Sequence, residues 1–274
     1  MQRSRSLYGS LPPKRAKLAK TLTIFCVITF VLALICSLWF IFMQPHSATV
    51  DLNKVRMIQL DPPKNGDPIA VMHTSHGDLS YLLYPSECPN AVENFVQLAE
   101  NGYYDNTYIF RVEQGIFFAG GAPNPDGSLP ADTPDDAPQE SVMQEITPTL
   151  WPLRGALCAL KTKQDGGFFR TLTGKQVSYN GSRFLVADTI EMTEDIVEGL
   201  RSQGEDNIVA NAFIDHGGIP NYAQQITVFG QLYDGFDILD SITDAPLTGE
   251  ESNQRPAEDI LIESVEISVY SANS

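Results

Sequence analysis

The sequence PNAVENFVQLAENGYYDNTYIFRVEQGIFFAGG, residues 89–121, carries the strongest structural pattern in the chain. Its first part predicts an amphipathic helix, because apolar side chains recur from Val92 to Ala99 at the i, i+3, i+4, i+7 spacing. Pro89 suits the first helical turn, where its missing N–H costs nothing. The helix is expected to end at Asn101-Gly102.

The second part of the stretch predicts two β-strands. β-Branched and aromatic residues fill 108–112 and 116–118, and Gly115 and the pair Gly120-Gly121 mark the turns between and after them. Phe117 and Phe118 alternate along the second strand, so one of them is expected in the core. Arg111 places one fixed cation on this apolar sheet surface.

The same residues resemble cyclophilin-type peptidyl-prolyl isomerases, in which a Glu-Asn-Phe helix leads through Gly-Tyr-Tyr-Asp to Phe-His-Arg-Val, a Gly-Phe pair and Gln-Gly-Gly. Five further stretches are similar to that family in the same order: HGDLSYLLYPSECPNAVENF (76–95), LRGALCAL (153–160), NGSRFLV (180–186), ITVFGQLYDGFDILDSI (226–242) and RPAEDILIESVEI (255–267). The resemblance spans about residues 69–269.

The resemblance implies a mainly β fold, a closed eight-stranded antiparallel barrel capped by two helices, with a packed interior and a groove on the outer face. The first hairpin is expected at 69–74 and 78–83, around the turn His76-Gly77. Two insertions, at about 162–177 and 187–225, depart from the family. The second is expected to carry a helix of its own, with Met192, Ile196, Val197 and Leu200 at helical spacing and Gly204 at its end.

The activity that the resemblance implies is cis-trans isomerisation of X-Pro bonds in polypeptides, with Arg111 in the catalytic position. The same carry-over assigns substrate binding to Ile116, Phe117, Ala119, Leu160, Lys161, Arg183, Leu185, Tyr222 and Ile226. Several of these depart from the residues usual in the family: Ile116 and Leu185 replace phenylalanine, Ala119 replaces glutamine and Lys161 replaces asparagine. The substitutions bear on rate and substrate preference more than on fold.

A second interpretation of the site stays open at this point. Arg111 is then a strand arginine whose stem packs on its neighbours and whose head pairs with a surface acid. The domain would be a noncatalytic module that binds prolyl peptides or serves as an envelope scaffold. An isomerase assay separates the two interpretations.

The charge distribution divides the chain. Residues 1–20 hold six of the 18 basic residues and no acid, so the rest of the chain has 12 basic and 34 acidic residues, a formal net charge of −22. Nucleic acid is therefore not an expected partner, because phosphate binding needs a concentrated positive surface.

Residues 21–43, TLTIFCVITFVLALICSLWFIFM, contain no charge and are long enough to cross about 30 Å of hydrocarbon as a helix. The positive-inside rule places the basic tail 1–20 on the cytoplasmic side. We therefore expect a single-pass cell-membrane protein whose C-terminal domain is extracytoplasmic. Residues 44–68 are expected to form a juxtamembrane linker and 69–274 the barrel domain. The alternatives are a cleaved signal peptide and lipid attachment at Cys36.

No cofactor and no metal site are expected. The four histidines are dispersed and no cysteine joins them at zinc-ligand spacing. Cys88 and Cys158 lie in the predicted extracytoplasmic domain, where an oxidising compartment would couple them only if their Cα atoms came within about 7 Å. The alternative interpretation is that the two thiols are unpaired, with Cys158 buried in a strand. The sequence leaves the oligomeric state open.

Overall fold

The computed structural model describes residues 52, 54–129, 142–165, 177–250 and 254–272. The strands are β1 (Pro68–Thr74), β2 (Gly77–Leu83), β3 (Thr107–Glu113), β4 (Phe117–Ala122), β5 (Val142–Met143), β6 (Ala156–Asp165), β7 (Val177–Ala187), β8 (Thr227–Asp234), β9 (Leu247–Thr248), β10 (Arg255–Pro256) and β11 (Leu261–Val269). The helices are α1 (Pro89–Glu100), α2 (Glu194–Arg201), α3 (Ile208–His216) and α4 (Phe236–Thr243), with short 3-10 turns at Ile58–Leu60 and Pro220–Tyr222.

Eight of the strands form a closed antiparallel barrel. Their order is β4-β3-β11-β1-β2-β8-β6-β7, and β4 pairs with β7 to complete the ring. Phe118 lies opposite Val186 at this closing seam. Strand β5 is added to β7 outside the ring, and β9 and β10 form a separate two-stranded sheet. The predicted eight-stranded closed barrel is thereby confirmed.

The core is centred on aromatic rings between α1 and the barrel. The ring centroid of Phe95 lies 5.2 Å from those of both Tyr104 and Phe229 and 6.2 Å from that of Phe184. All four side chains are at most 2% exposed. Such pairs stabilise by about 0.5–1.5 kcal/mol beyond the burial of their area. The apolar stripe that the sequence predicts for α1 is therefore the face that packs against the barrel.

The glycine pair Gly120-Gly121 lies within β4, so the prediction of a turn there is wrong. A Cβ on Gly121 would lie 3.0 Å from the rings of both Phe184 and Tyr104, and a Cβ on Gly120 would lie 3.0 Å from Ile262. The strand continues to Ala122 because it lacks side chains where it passes the aromatic core. Gly121 also has φ of 84°, which favours glycine.

The sequence predicted two helices on the barrel and one in the second insertion, and the described residues contain four α-helices. Helices α1 and α4 pack on the barrel, and α2 and α3 both lie in the second insertion. The helix predicted there is α2, which begins after the capping residue Thr193 and ends at Arg201, before Gly204. Helix α3 was not predicted, because its run IVANAFIDH is apolar on most sides and has no clear stripe.

The insertion helices build a second, smaller hydrophobic cluster. Its buried members are Val55, Trp151, Leu153, Leu200, Val209, Ala210, Ala212 and Phe213. Gln59, in the segment predicted as linker, is 5% exposed and donates to the Trp151 carbonyl at 2.8 Å, while its own oxygen accepts from the Trp151 N–H at 2.6 Å. Residues near Gln59 are therefore part of the folded domain.

A buried carboxylate ties α4 to the end of the barrel. Asp188 accepts from Arg154 Nε at 2.9 Å and from the Thr243 hydroxyl at 2.7 Å. Arg154 also pairs with Asp240 on the exposed side of α4. The Asp188 side chain is 9% exposed, against 51% for Asp240. One guanidinium thus joins a buried and an exposed acid.

Both described cysteines are free and buried. The Cys88 thiol donates to the Val228 carbonyl at 3.3 Å, and Cys158 lies in β6 with no exposed surface. Burial raises the pKa of Cys88 to about 12 and the pKa of Cys158 well above its usual value. The reading of two unpaired thiols, with Cys158 in a strand, is confirmed.

Within the described residues, no helix has the length and apolarity needed to span a membrane. The predicted anchor, 21–43, lies outside the residues that the structure describes, and so do the basic tail 1–20 and the start of the predicted linker.

We expect the two acids that pair with Arg154 to differ sharply in their effect on stability. Asp188→Ala removes the buried acceptor that Arg154 Nε and the Thr243 hydroxyl share. Arg154 keeps Asp240 and Thr243 keeps the Leu239 carbonyl, so we expect a loss of about 1–3 kcal/mol of unfolding free energy. Asp240→Ala removes an exposed pair and costs at most about 1 kcal/mol. Urea unfolding of both variants followed by tryptophan fluorescence measures the difference. Equal losses would contradict the assignment of Asp188 as the stabilising partner.

Candidate active-site groove

A groove with a cavity volume of about 310 Å³ lies on the outer face of the barrel. It crosses four adjacent strands in the order β3, β4, β7 and β6. Its lining residues are Phe110, Arg111, Phe117, Ala119, Gln144, Leu160, Lys161, Leu185, Tyr222, Gln225 and Ile226. Eight of the ten residues carried over from the sequence resemblance therefore lie together.

Pairing across β3, β4, β7 and β6 sets the floor of the groove. Arg111 lies opposite Ala119, Ala119 lies opposite Leu185, and Leu185 lies opposite Cys158. Directly opposed residues point to the same face of a sheet. Arg111, Ala119 and Leu185 therefore form one row across the outer face, and the cation stands at its β3 end.

Irregular pairing brings neighbouring side chains to the same groove. In β3 the register shifts between Ile109 and Arg111, and in β6 it shifts between Ala159 and Lys161. An extra residue in a strand breaks the alternation of faces and re-aims a side chain. As a result Phe110 and Arg111 both line the groove, and so do Leu160 and Lys161.

Arg111 is held beside the apolar floor. Its guanidinium carbon lies 5.4 Å from the centroid of the Phe117 ring, and Nη2 lies 3.5 Å from Oε2 of Glu113. The Arg111 side chain is 40% exposed and that of Glu113 46% exposed. The ring contact is worth about 0.5–1 kcal/mol at such a site, and an exposed ion pair is worth about 0–1 kcal/mol. The pair with Glu113 is therefore weak enough for a ligand to displace.

The far wall of the groove is the loop at the end of the second insertion. Gln225 accepts at its carbonyl from Gln144 Nε2 at 2.7 Å, and its own Nε2 donates to the Asn221 carbonyl at 2.6 Å. Gln224, with φ of 57°, donates to the Thr147 carbonyl at 3.1 Å. These bonds hold Tyr222 and Ile226 against the barrel, so the wall is made jointly by the loop and by residues 144–147.

Glu145 fixes the segment that carries Gln144. Its carboxylate accepts from the backbone N–H of Ala91 at 2.9 Å and from the Asn90 side chain at 2.7 Å, at the first turn of α1. An anion at a helix N-terminus satisfies unpaired N–H groups and opposes the positive end of the helix dipole. The Glu145 N–H donates in turn to the Thr227 hydroxyl at 3.0 Å. Helix α1 therefore helps to hold the groove wall.

Two residues of the predicted set lie outside the lining. Ile116, at the β3–β4 turn, packs against the core and accepts at its carbonyl from the Asp188 N–H at 2.7 Å. Arg183 donates from Nη1 to the Gly127 carbonyl at 2.8 Å. The Gly127 backbone lies so close to the Phe110 ring that an added Cβ would be 2.4 Å from it. Arg183 therefore supports the loop behind Phe110.

Three residues of the lining were missing from the predicted set: Phe110, Gln144 and Gln225. The strand period sends Phe110 to the face opposite Arg111, and only the irregular pairing brings it back. Gln144 follows a Pro- and Asp-rich stretch without periodicity, and Gln225 ends the long insertion, so neither has a local signal in the sequence.

The chemistry available in the groove is that of a fixed cation beside apolar surface. The described lining residues include no carboxylate, imidazole or thiol. Among the described residues, no three His, Cys, Asp or Glu side chains gather as metal ligands. The arrangement suits a reaction in which a donor stabilises developing charge and no bond to the protein forms.

Comparison with known proteins places the whole barrel in one family. The family model described as cyclophilin-type peptidyl-prolyl cis-trans isomerase matches residues 69–267. A relative assigned to the peptidyl-prolyl cis-trans isomerases in Staphylococcus haemolyticus is 32% identical over 72% of this chain and 89% of its own length. One in Staphylococcus saprophyticus is 31% identical over 76% of this chain and 96% of its own length.

The fold is also similar to solved structures. A crystal structure of a cyclophilin-type peptidyl-prolyl cis-trans isomerase from Cryptosporidium parvum superimposes with a TM-score of 0.51 at 23% identity, covering 75% of this chain and 98% of that one. A second crystal structure of the same protein was obtained in the presence of the dipeptide Ala-Pro and has a TM-score of 0.50, covering 74% of this chain and 99% of that one. At this identity the likeness bears on the fold.

We expect Glu145→Ala to destabilise the domain by about 1–2 kcal/mol, because it removes an anionic cap from the first turn of α1. Amide hydrogen exchange at residues 142–147 should accelerate as well. The matched control is Glu93→Ala on the exposed face of the same helix, where Glu93 accepts from Gln97 at 3.2 Å. Urea unfolding and hydrogen exchange measure both variants. Equal behaviour of the two would show that the cap does not hold the groove wall.

Proposed function

We propose that this chain, which belongs to the cyclophilin-type peptidyl-prolyl cis-trans isomerase family, catalyses X-Pro isomerisation in the groove described above, with Arg111 as its catalytic residue. The observation that carries the proposal is the position of the Arg111 guanidinium, 5.4 Å from the Phe117 ring at the end of an apolar floor.

The reaction needs a donor more than it needs a nucleophile. Rotation about the X-Pro bond is slow because amide resonance must be broken, with a barrier near 20 kcal/mol. In the twisted transition state the prolyl nitrogen recovers its lone pair, so a donor aimed at that nitrogen binds more strongly than in the ground state. Arginine suits this role, because it stays charged and presents a planar set of donors.

The apolar part of the groove is proposed to hold the proline ring. Phe117 and Leu185 on the floor and Ile226 on the far wall offer apolar surface in the same groove as Arg111. An apolar ring seated there would exclude water from the guanidinium, and a hydrogen bond is electrostatically stronger in such a medium. The dipeptide Ala-Pro used with the Cryptosporidium parvum protein is consistent with a ligand of this class.

A noncatalytic module that binds prolyl peptides is the second candidate function. Two observations favour it: the pairing of Arg111 with Glu113, and the aliphatic and small side chains of Leu185 and Ala119 where the family usually has phenylalanine and glutamine. Binding would then use the same groove, and Arg111 would contribute to affinity without accelerating rotation.

The substrates are proposed to be polypeptides that fold after export. The support is the sequence of residues 1–43, a basic tail followed by an uncharged apolar run of membrane-spanning length. A domain anchored at the extracytoplasmic face of the cell membrane would meet exported chains before they fold. Slow X-Pro isomerisation limits the folding of such chains.

We expect Arg111→Ala to lower kcat/KM by about 10²–10³-fold, the loss usual for removal of one transition-state donor. Arg111→Lys should restore little, because an ammonium group lacks the planar fork. Arg201→Ala, an exposed residue in the last turn of α2, is the control that keeps its activity. NMR exchange on a proline peptide gives the rates, and melting curves check the fold. Full activity of a well-folded Arg111→Ala variant would favour the noncatalytic module.

We expect residues 21–43 to remain in the mature protein as an anchor. A membrane-impermeant amine reagent applied to intact cells should label Lys54 and Lys64 and leave Lys14 and Lys17 unlabelled, because the latter lie on the cytoplasmic side. Intact mass measurement of the purified protein checks the N-terminus. A mature chain that begins near Thr49, or a lipid on Cys36, would overturn this expectation.

A further inference from the structure

The groove is a basic site in an acidic protein. It is lined by Arg111 and Lys161, and among the described lining residues none is acidic. The chain as a whole carries a formal net charge of −16. Positive charge is therefore concentrated where a peptide would lie, although the surrounding surface would repel an acidic chain.

The two cations of the groove differ in whether the protein supplies an acidic partner. Arg111 is paired with Glu113 at 3.5 Å. Lys161 is exposed, and none of the ion pairs formed among the described residues involves it. An ammonium group at a groove edge that has no ion-pair partner among the described residues gains most from a carboxylate brought by the ligand.

The strand order fixes how far apart the cations are. Arg111 is on β3 and Lys161 on β6, with β4 and β7 between them. Three steps of about 4.8 Å separate these strands by about 14 Å, and an extended peptide covers about 3.3 Å per residue. The lysine side chain itself spans part of that distance. A carboxylate about two to four residues from the proline would therefore reach Lys161 while the proline lies beside Arg111.

We propose that the groove selects proline peptides that carry an acidic residue about two to four positions from the proline, with Lys161 as the residue that determines this preference. The inference rests on the proposed function, since it takes the proline to lie beside Arg111. Lys161 recognises the ligand at a point away from the rotating bond, so the preference concerns which peptide binds.

The effect has a bounded size. An exposed pair contributes up to about 1 kcal/mol, so the gain for an acidic peptide over its amide analogue is up to about fivefold. The gain should shrink in 0.5 M salt, because the screening length falls from about 10 Å at 0.1 M towards about 4 Å.

The test uses the full chain in a nonionic detergent and a set of alanine-based peptides with one proline. Glutamate is placed three residues before or three residues after the proline, and each peptide is matched by one with glutamine at that place. Isomerisation is measured by NMR exchange and binding by fluorescence polarisation. The readout is the ratio of the glutamate to the glutamine peptide, so a change common to both cancels.

Three variants separate the local charge from the overall charge. Lys161→Gln should bring the ratio to about one, and Lys161→Arg should keep it, because the positive charge is retained. Lys64→Gln makes the same change in net charge at an exposed residue outside the groove and should leave the ratio as it is in the unaltered protein.

The outcomes distinguish this inference from the proposed function. A ratio of one for both placements in the unaltered protein, or a ratio that survives Lys161→Gln, overturns the acidic preference while measurable turnover keeps the isomerase function. Binding that prefers the glutamate peptide through Lys161, without turnover of any peptide, supports the preference and overturns catalysis. Neither binding nor turnover of any peptide overturns both.

Discussion

The pairing of β4 with β7 closes the barrel and thereby positions both the core and the groove. The seam brings Ala119 opposite Leu185, and through them connects the strand of Arg111 to the strand of Lys161. Strand β4 can pair with β7 because Gly120 and Gly121 leave room for the rings of Phe184 and Tyr104. The aromatic core and the groove are thus two faces of the same pairing.

The groove itself depends on departures from regular pairing. A regular strand alternates its side chains between the core and the surface, and would place one of Phe110 and Arg111 on each face. The shifts in β3 and β6 turn both members of each adjacent pair outward. Two strands therefore supply four groove residues, with an apolar side chain next to each cation. This adjacency gives a fixed charge an apolar setting without burying it.

The chain also adds structure around the barrel. Helices α2 and α3 and the segment near Gln59 share a second apolar cluster, built on Trp151. The insertion that contains these helices ends in the loop of Tyr222 and Gln225, which forms the far wall of the groove. Its placement is fixed by hydrogen bonds to residues 144–147, a segment that Glu145 ties to the first turn of α1. The second insertion is therefore linked by hydrogen bonds to the segment 144–147 that forms part of the groove wall.

The elements with a strong local period, such as the apolar stripe of α1 and the hairpin of β1 and β2, could be predicted from the sequence. Its ordered resemblance to one family also determined the closed barrel and most of the groove. It did not determine the course of Gly120-Gly121, the helix α3, or the contribution of Phe110, Gln144 and Gln225 to the groove. Those depend on long-range pairing: a glycine becomes a strand residue when a ring occupies its side, and a strand residue changes face when its partner strand shifts register. These features could not be predicted locally, because the groups that impose them meet only when the chain folds, as the rings of Tyr104 and Phe184 do at Gly121.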